Sequence, residues 1–189
     1  MRKLILLFVV FIMTTTLMAE GHMKFKGIEI TGTPNSFVQQ MKAKGFVSLM
    51  KQDDVEIMQG DFAGHKDCMV LIVPTKGQVV KVVVIIGRRD NWNSLYGDYT
   101  SLKSMLTTKY GDPTIDVEEW QGYGQPEDDN SRMHELRMDR GKFMSNFETE
   151  NGSVKLVITR LDYSACSVTL EYYDKQSQEE LMNQAIEDL

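Results

Sequence analysis

The residues of this chain whose types and spacing could support chemistry fall into a few small groups. The first is His65-Lys66-Asp67-Cys68, where an imidazole, a carboxylate and a thiol lie close together. A zinc site needs three or four such ligands at recurring spacing. No second cluster accompanies this one, and His22 and His134 stand alone, so turn and strand residues explain it better than a metal does. The second group is Glu127-Asp128-Asp129-Asn130, a run of oxygen ligands. A calcium loop of the EF type requires alternating ligands, a central glycine and a terminal glutamate. That spacing is absent, which leaves a solvated acidic loop. No metal and no cofactor is expected.

Nucleophilic catalysis finds no better footing. Cys68 and Cys166 sit in phase with apolar neighbours, Val70 and Ile72 for one, Val168 and Leu170 for the other. That is a strand pattern, not the exposed, electropositive setting that lowers a thiol pKa. Two cysteines allow one pairing, and both a disulfide and two buried free thiols fit the pattern. There is no Gly-x-Ser-x-Gly elbow. Gly122-Tyr123-Gly124 follows an apolar run but lacks the helix and the remaining glycines of a phosphate loop. The many carboxylates form no pair that sequence alone can place across a cleft. Aromatic residues remain. Trp120, Tyr123, Tyr163 and Tyr173 fall at strand ends, in loops or on a polar alternation. Exposed aromatics are good anchors for a protein partner, although single ones are ordinary on any surface. These residues are the candidate partner-binding set.

The compartment is read from the N-terminus. Arg2 and Lys3 precede the apolar run Leu4–Met13, and Ala19 is small enough to stand before a peptidase cut. This three-part order is that of a secretory signal over residues 1–19, too short to span and remain in a bilayer. No cysteine near the cut supports lipid attachment. The expected mature chain, residues 20–189, is periplasmic or secreted, of single-domain length, and has no stable membrane span. Loss of Arg2 and Lys3 takes the formal charge from −6 to −8. A clearly acidic domain argues against nucleic acid and anionic membrane as partners, where phosphate neutralisation dominates affinity.

The elements that must position these groups centre on Cys68–Gly87. Two β-branched runs, Val70–Val73 and Val79–Ile86, flank the loop Pro74-Thr75-Lys76-Gly77-Gln78 and predict a hairpin. The second run is apolar on both alternations except at Lys81, as in a strand covered on both faces. Phe25–Ile30 alternates and reads as one short leading strand or as a simple lead-in, ended by Gly32. Thr33-Pro34 opens a helix through Lys44. Phe46–Met50 and Val55–Met58 are strands. Trp92, Leu95, Tyr96, Tyr99, Leu102, Leu106 and Tyr110 recur at helical spacing, and Gly111 and Pro113 stop that helix. Thr114–Trp120, Lys142–Thr149, Ser153–Arg160 and Ala165–Tyr173 are strands, with Asn151-Gly152 as a hairpin turn. A final amphipathic helix, 178–189, offers Leu181, Met182, Ala185 and Ile186.

Set side by side at an offset of about 85 residues, the two parts match. Phe62-Ala63-Gly64 corresponds to Phe147-Glu148-Thr149, and Val79–Ile86 to Ala165–Tyr172. The expected fold is α+β: two similar helix-plus-three-strand antiparallel halves, about 33–87 and 91–175, with helices packed on the sheet. The second half alone carries an insertion between Trp120 and Arg140, rich in glycine and acids, which is expected to be an irregular loop.

The helix end Leu106-Thr107-Thr108-Lys109-Tyr110-Gly111-Asp112-Pro113, followed by a strand reaching Trp120, resembles small exported domains of the β-lactamase-inhibitor-protein-like group. The duplicated layout is similar too, as in uncharacterised secreted proteins of gut Bacteroidetes. The first half departs from the motif, since its helix ends Lys44-Gly45-Phe46 without a proline. The resemblance implies this fold and a sheet that binds protein. Two cysteines cannot make the inhibitor's paired disulfides, so lactamase inhibition is not carried over. The expected function is non-enzymatic binding of a protein or envelope component through the exposed sheet face and the 121–140 loop. A secreted hydrolase whose carboxylates converge only in the fold, and a structural part of envelope assembly, are the alternatives.

Overall fold

A computed structural model describes residues 21–121 and 125–187. The expected signal segment and Tyr123 lie outside the described residues. The chain runs β1 (Lys24–Phe25), β2 (Ile28–Glu29), α1 (Pro34–Ala43), β3 (Val47–Gln52), β4 (Val55–Phe62), β5 (His65–Thr75), β6 (Gln78–Arg89) and α2 (Trp92–Tyr110). It continues with β7 (Ile115–Trp120), α3 (Asp129–Arg137), β8 (Gly141–Thr149), β9 (Gly152–Arg160), β10 (Cys166–Asp174) and α4 (Lys175–Glu187).

β1 and β2 pair only with each other, and the other eight strands form one antiparallel sheet in the order β3-β4-β5-β6-β10-β9-β8-β7. This is an α+β protein with helices packed against the sheet. Each half supplies a helix and four strands, not the three expected: α1 with β3–β6, and α2 with β7–β10. The halves meet edge to edge where β6 pairs with β10, Ile86 opposite Val168 and Val82 opposite Tyr172. The strand order of one half is therefore the other's in reverse.

Turn chemistry sets the registers. Lys76 and Gly77 both have positive φ, 49° and 80°, which makes the β5–β6 connection a two-residue type I′ hairpin. Lys26-Gly27 turns in the same way, so the piece read as one leading strand is the hairpin β1–β2. The β8–β9 turn differs from expectation by one residue. Glu150 and Asn151 make the bend, while Gly152 pairs with Thr149 and with Asp174. Its glycine serves close approach: a Cβ there would lie 2.0 Å from the Tyr173 carbonyl oxygen.

One face of the sheet carries the core. Met58, Val70, Val84, Leu170 and Leu156 stand opposite one another across five strands, and all are buried. α2, capped at Asn91, lays Trp92, Leu95, Tyr99, Leu102 and Leu106 into this face, and α1, capped at Thr33, adds Phe37, Val38 and Met41. Burying one such large side chain is worth about 1.5–3 kcal/mol relative to exposure. The segment expected to be an irregular loop carries α3. Asp128 caps it, accepting from the Ser131 N–H at 2.9 Å and the Ser131 hydroxyl at 3.0 Å, and Met133 and Leu136 are buried. α3 packs against α2 and β8.

Cys68 and Cys166 are free and buried. β6 lies between their strands, so their Cα atoms are at least about 9 Å apart, beyond disulfide reach. At the end of β10, the buried Asp174 carboxylate gathers three segments. It accepts from the Met23 N–H at 2.6 Å, from the Ser177 N–H at 2.8 Å and from the Ser177 hydroxyl at 2.7 Å, and it meets His22 Nδ1 at 2.9 Å. The apolar stripe expected of the last helix is not buried: Met182 and Ile186 of α4 are exposed. Among the described residues no helix is long and apolar enough to cross a membrane.

Candidate functional site

The apolarity of β6 on both alternations predicts cover on both faces. The structure corrects this. Val84 and Ile86 are fully buried beneath the helices, whereas Val83 and Ile85, on the opposite face, are only half-buried. Among the described residues α1, α2 and α3 all contribute their buried apolar side chains to the core on the Val84 side. The other face is open, among the described residues, over β3–β5, where Val47, Met50 and Met69 are exposed, while α4 packs against β6, β10 and β9 with Leu181 beside Val80.

Strand register arranges that face in transverse rows. Met50, Ile57, Leu71 and Val83 stand opposite one another from β3 to β6. The same row continues into the second half as Glu171, Lys155 and Asn146. A neighbouring row runs Val47, Gln59, Met69 and Ile85, then Thr169, Val157 and Met144. Val47 is 63% exposed, Met50 58% and Met69 41%, so the apolar half of this face meets solvent directly. A polar group stands where the halves meet. Lys81 Nζ lies 3.8 Å from Glu171 and 5.2 Å from the Tyr173 ring centroid, and the Tyr173 hydroxyl donates to Glu171. Burial, reinforced by that hydrogen bond, pushes the Tyr173 phenol well above its usual range, so it remains a neutral donor.

The candidate aromatics do not converge. Tyr173 belongs to the open face. Tyr163 is 93% exposed in the β9–β10 turn, at the opposite end of β10. Trp120 is half-buried on the helix side, its ring 5.0 Å from Phe143 and 5.4 Å from Trp92. Tyr123 lies outside the described residues. α3, the helix of the 121–140 segment, is on the helix side as well, on the opposite side of the sheet from the open face. The open-face residues Met50, Ile57, Leu71 and Val83 went unread in the sequence, although the two-sided apolarity of β6 was their signal.

The ionisable groups are mostly bound into structure. Ser145 donates to Asp116 at 2.8 Å, which leaves Tyr99 to donate to Ser145, also at 2.8 Å. Burial pushes Tyr99 up to about 12. Lys103 meets Asp116 at 2.7 Å and Glu118 at 2.8 Å, and Tyr96 donates to Glu118 at 2.9 Å. Desolvation works against the Lys103 charge, but the two carboxylates outweigh it and raise its pKa, so it is not a free base. This network ties α2 to β7 and β8. Burial raises the Cys68 and Cys166 thiols, which keeps both protonated and weakly nucleophilic. In the His65-Lys66-Asp67-Cys68 run, His65 faces Asp98 at 3.9 Å, and Arg89 holds the same carboxylate at 2.8 Å. Among the described residues no group of three or more His, Cys, Asp or Glu is placed to hold a metal ion.

The chain matches no protein-family model, no curated protein and no solved structure.

Proposed function

We propose that this chain is an exported, non-enzymatic binding protein that engages a partner protein of the cell envelope through the open face of β3–β5. One observation carries the reading. The rows Met50-Ile57-Leu71-Val83 and Val47-Gln59-Met69-Ile85 give an apolar surface interrupted by Gln59, on which Val47, Met50 and Met69 meet solvent. Scattered exposed apolar residues need no explanation, but a contiguous patch bordered by polar groups is characteristic of an interaction site. Lys81, Glu171 and Tyr173 supply such a border, with a neutral phenol beside a charge pair. The layout resembling the β-lactamase-inhibitor-protein-like group points the same way, toward a sheet that presents itself to protein.

The test is site-specific photocrosslinking in the native envelope fraction. A photoreactive residue at Met69 is expected to give a discrete protein adduct, and one at Gln40, exposed on α1, is not. Val47→Glu with Met50→Glu alters only exposed side chains and is expected to abolish the adduct formed from position 69 without lowering the unfolding midpoint. Equal adducts from both positions, or an adduct that survives the double substitution, would refute the assignment.

A further inference from the structure

A second surface, independent of the open face, lies on the helix side. A groove runs between the β1–β2 hairpin and the C-terminal part of α2. Its deeper part has a volume of about 270 Å³ and is walled by Phe25, Phe62, Met105, Leu106 and Leu170. It continues past Lys24 and Lys109 into a more open part that reaches Tyr110 and Asn151. Two features of the wall suit a ligand.

The first is Tyr172. Its ring lines the groove and is only 5% exposed, while its hydroxyl makes no protein hydrogen bond among the described residues and is not sealed from solvent. The phenol is therefore a donor free to meet a ligand. Lys24 and Lys109 line both parts of the groove, so they stand between Tyr172 in the deep part and Tyr110 in the open one.

The second is charge. The chain has 27 acidic against 21 basic residues, yet among the described residues the deep part of the groove is lined by Lys24, Lys26 and Lys109 and by no carboxylate, and the open part adds one, Glu150. Lys24 pairs with Glu29 at 3.4 Å on the exposed hairpin. Lys26 meets only the Asp61 backbone carbonyl, and Lys109 lies over the Tyr110 ring. Neither of these two has a carboxylate partner among the described residues. Lys109 also offsets the negative end of the α2 dipole, which would otherwise repel an anion here.

We propose that this groove binds a single-chain amphipathic anion of fatty-acid size. The tail lies against Phe25, Leu106 and Leu170, the carboxylate sits between Lys24 and Lys109, and the Tyr172 hydroxyl donates to it. At about 270 Å³ the deep part lies just below the usual range of ligand pockets, roughly 300–1,000 Å³, which suits one acyl chain and not a two-tailed lipid.

The experiment titrates the full chain with decanoate ¹³C-labelled at its carboxyl, read by calorimetry and by the carboxyl resonance. Saturable 1:1 binding is expected, with decyltrimethylammonium binding at least tenfold more weakly. Lys24→Glu with Lys109→Glu changes exposed side chains and is expected to weaken decanoate at least tenfold. Met105→Glu, at a half-exposed position, is expected to abolish binding with the circular dichroism unchanged, and Tyr172→Phe to weaken it several-fold. Absence of saturable binding overturns the proposal, as does cation binding of equal strength or indifference to the double charge reversal. Retention on phosphatidylglycerol vesicles without binding of free decanoate overturns it too.

Discussion

Asp174 holds the N-terminal segment, the end of β10 and the start of α4 in one place, and its removal has a calculable cost. Asp174→Ala takes away the cap of α4, since the Ser177 N–H and hydroxyl both lose their acceptor. Loss of such a cap costs about 0.5–2 kcal/mol. It also strands the buried Met23 N–H, whose acceptor at 2.6 Å disappears. An unsatisfied buried donor costs about 1–3 kcal/mol. The sum, about 1.5–5 kcal/mol, is a large share of a domain stability of about 5–15 kcal/mol. With a urea slope of about 2 kcal/mol per molar, the midpoint should fall by about 0.75–2.5 M. Asp174→Asn keeps one acceptor oxygen but turns an amide donor toward another donor, so its midpoint should lie between parent and Ala. Urea unfolding followed by far-ultraviolet circular dichroism gives the midpoints. Hydrogen exchange gives the location, because the Met23 and Ser177 amides should lose protection before those of β5 and β6. A midpoint for Asp174→Ala within about 0.3 M of the parent would refute the reasoning, since that shift is less than 1 kcal/mol at this slope.

Three further outcomes follow from the same geometry. Gly152→Ala drives a Cβ toward the Tyr173 carbonyl and should cost about 3 kcal/mol or more, read as a lowered thermal midpoint. Stability should fall at both pH extremes. Arg88 beside Asp162 and Ser131 beside Asp128 hold those carboxyls below their usual range, so their contribution is present above about pH 4 and is lost as the pH drops further. Tyr99 is pushed up to about 12, so its contribution is complete below about pH 10 and is lost as the pH rises through its folded value. A denaturation midpoint that rises on acidification to pH 3 would contradict the assignment. Finally, Ellman titration without reductant should detect no thiol in the native protein and two per chain in guanidinium, whereas a disulfide would give none in either state.

The parts legible in the sequence are those where one physical signal dominates. The α2 stripe, from Trp92 to Tyr110, places an apolar residue on every turn and ends at a glycine, so its bounds were readable. β5 and β6 were readable because β-branched residues crowd both sides of Lys76-Gly77. α3 was not, because only Met133 and Leu136 of its nine residues are buried and its start depends on the Asp128 cap. Gly152 misled because the glycine that permits close backbone contact looks identical to one that permits a turn. The reading of β6 as doubly covered mistook half-burial for burial: Val83 and Ile85 gain cover from neighbouring strands and stay half-buried. The groove was illegible for a different reason. Phe25, Leu106 and Tyr172 come together only when the β1–β2 hairpin docks beside α2.

The β6–β10 joint also bears on how the chain is made. Ile86 leaves the ribosome 82 residues before its partner Val168. At about 5–20 residues per second, that interval lasts roughly 4–16 s. Throughout it the first meander has an apolar bare edge at β6, the kind of strand on which another chain can pair. Most of the other ladders join strands that are adjacent in sequence and can form as they emerge. Synthesis of the second half is therefore the period of greatest aggregation risk, and a holdase that engages extended apolar strands should be found on nascent chains stalled between Arg89 and Cys166.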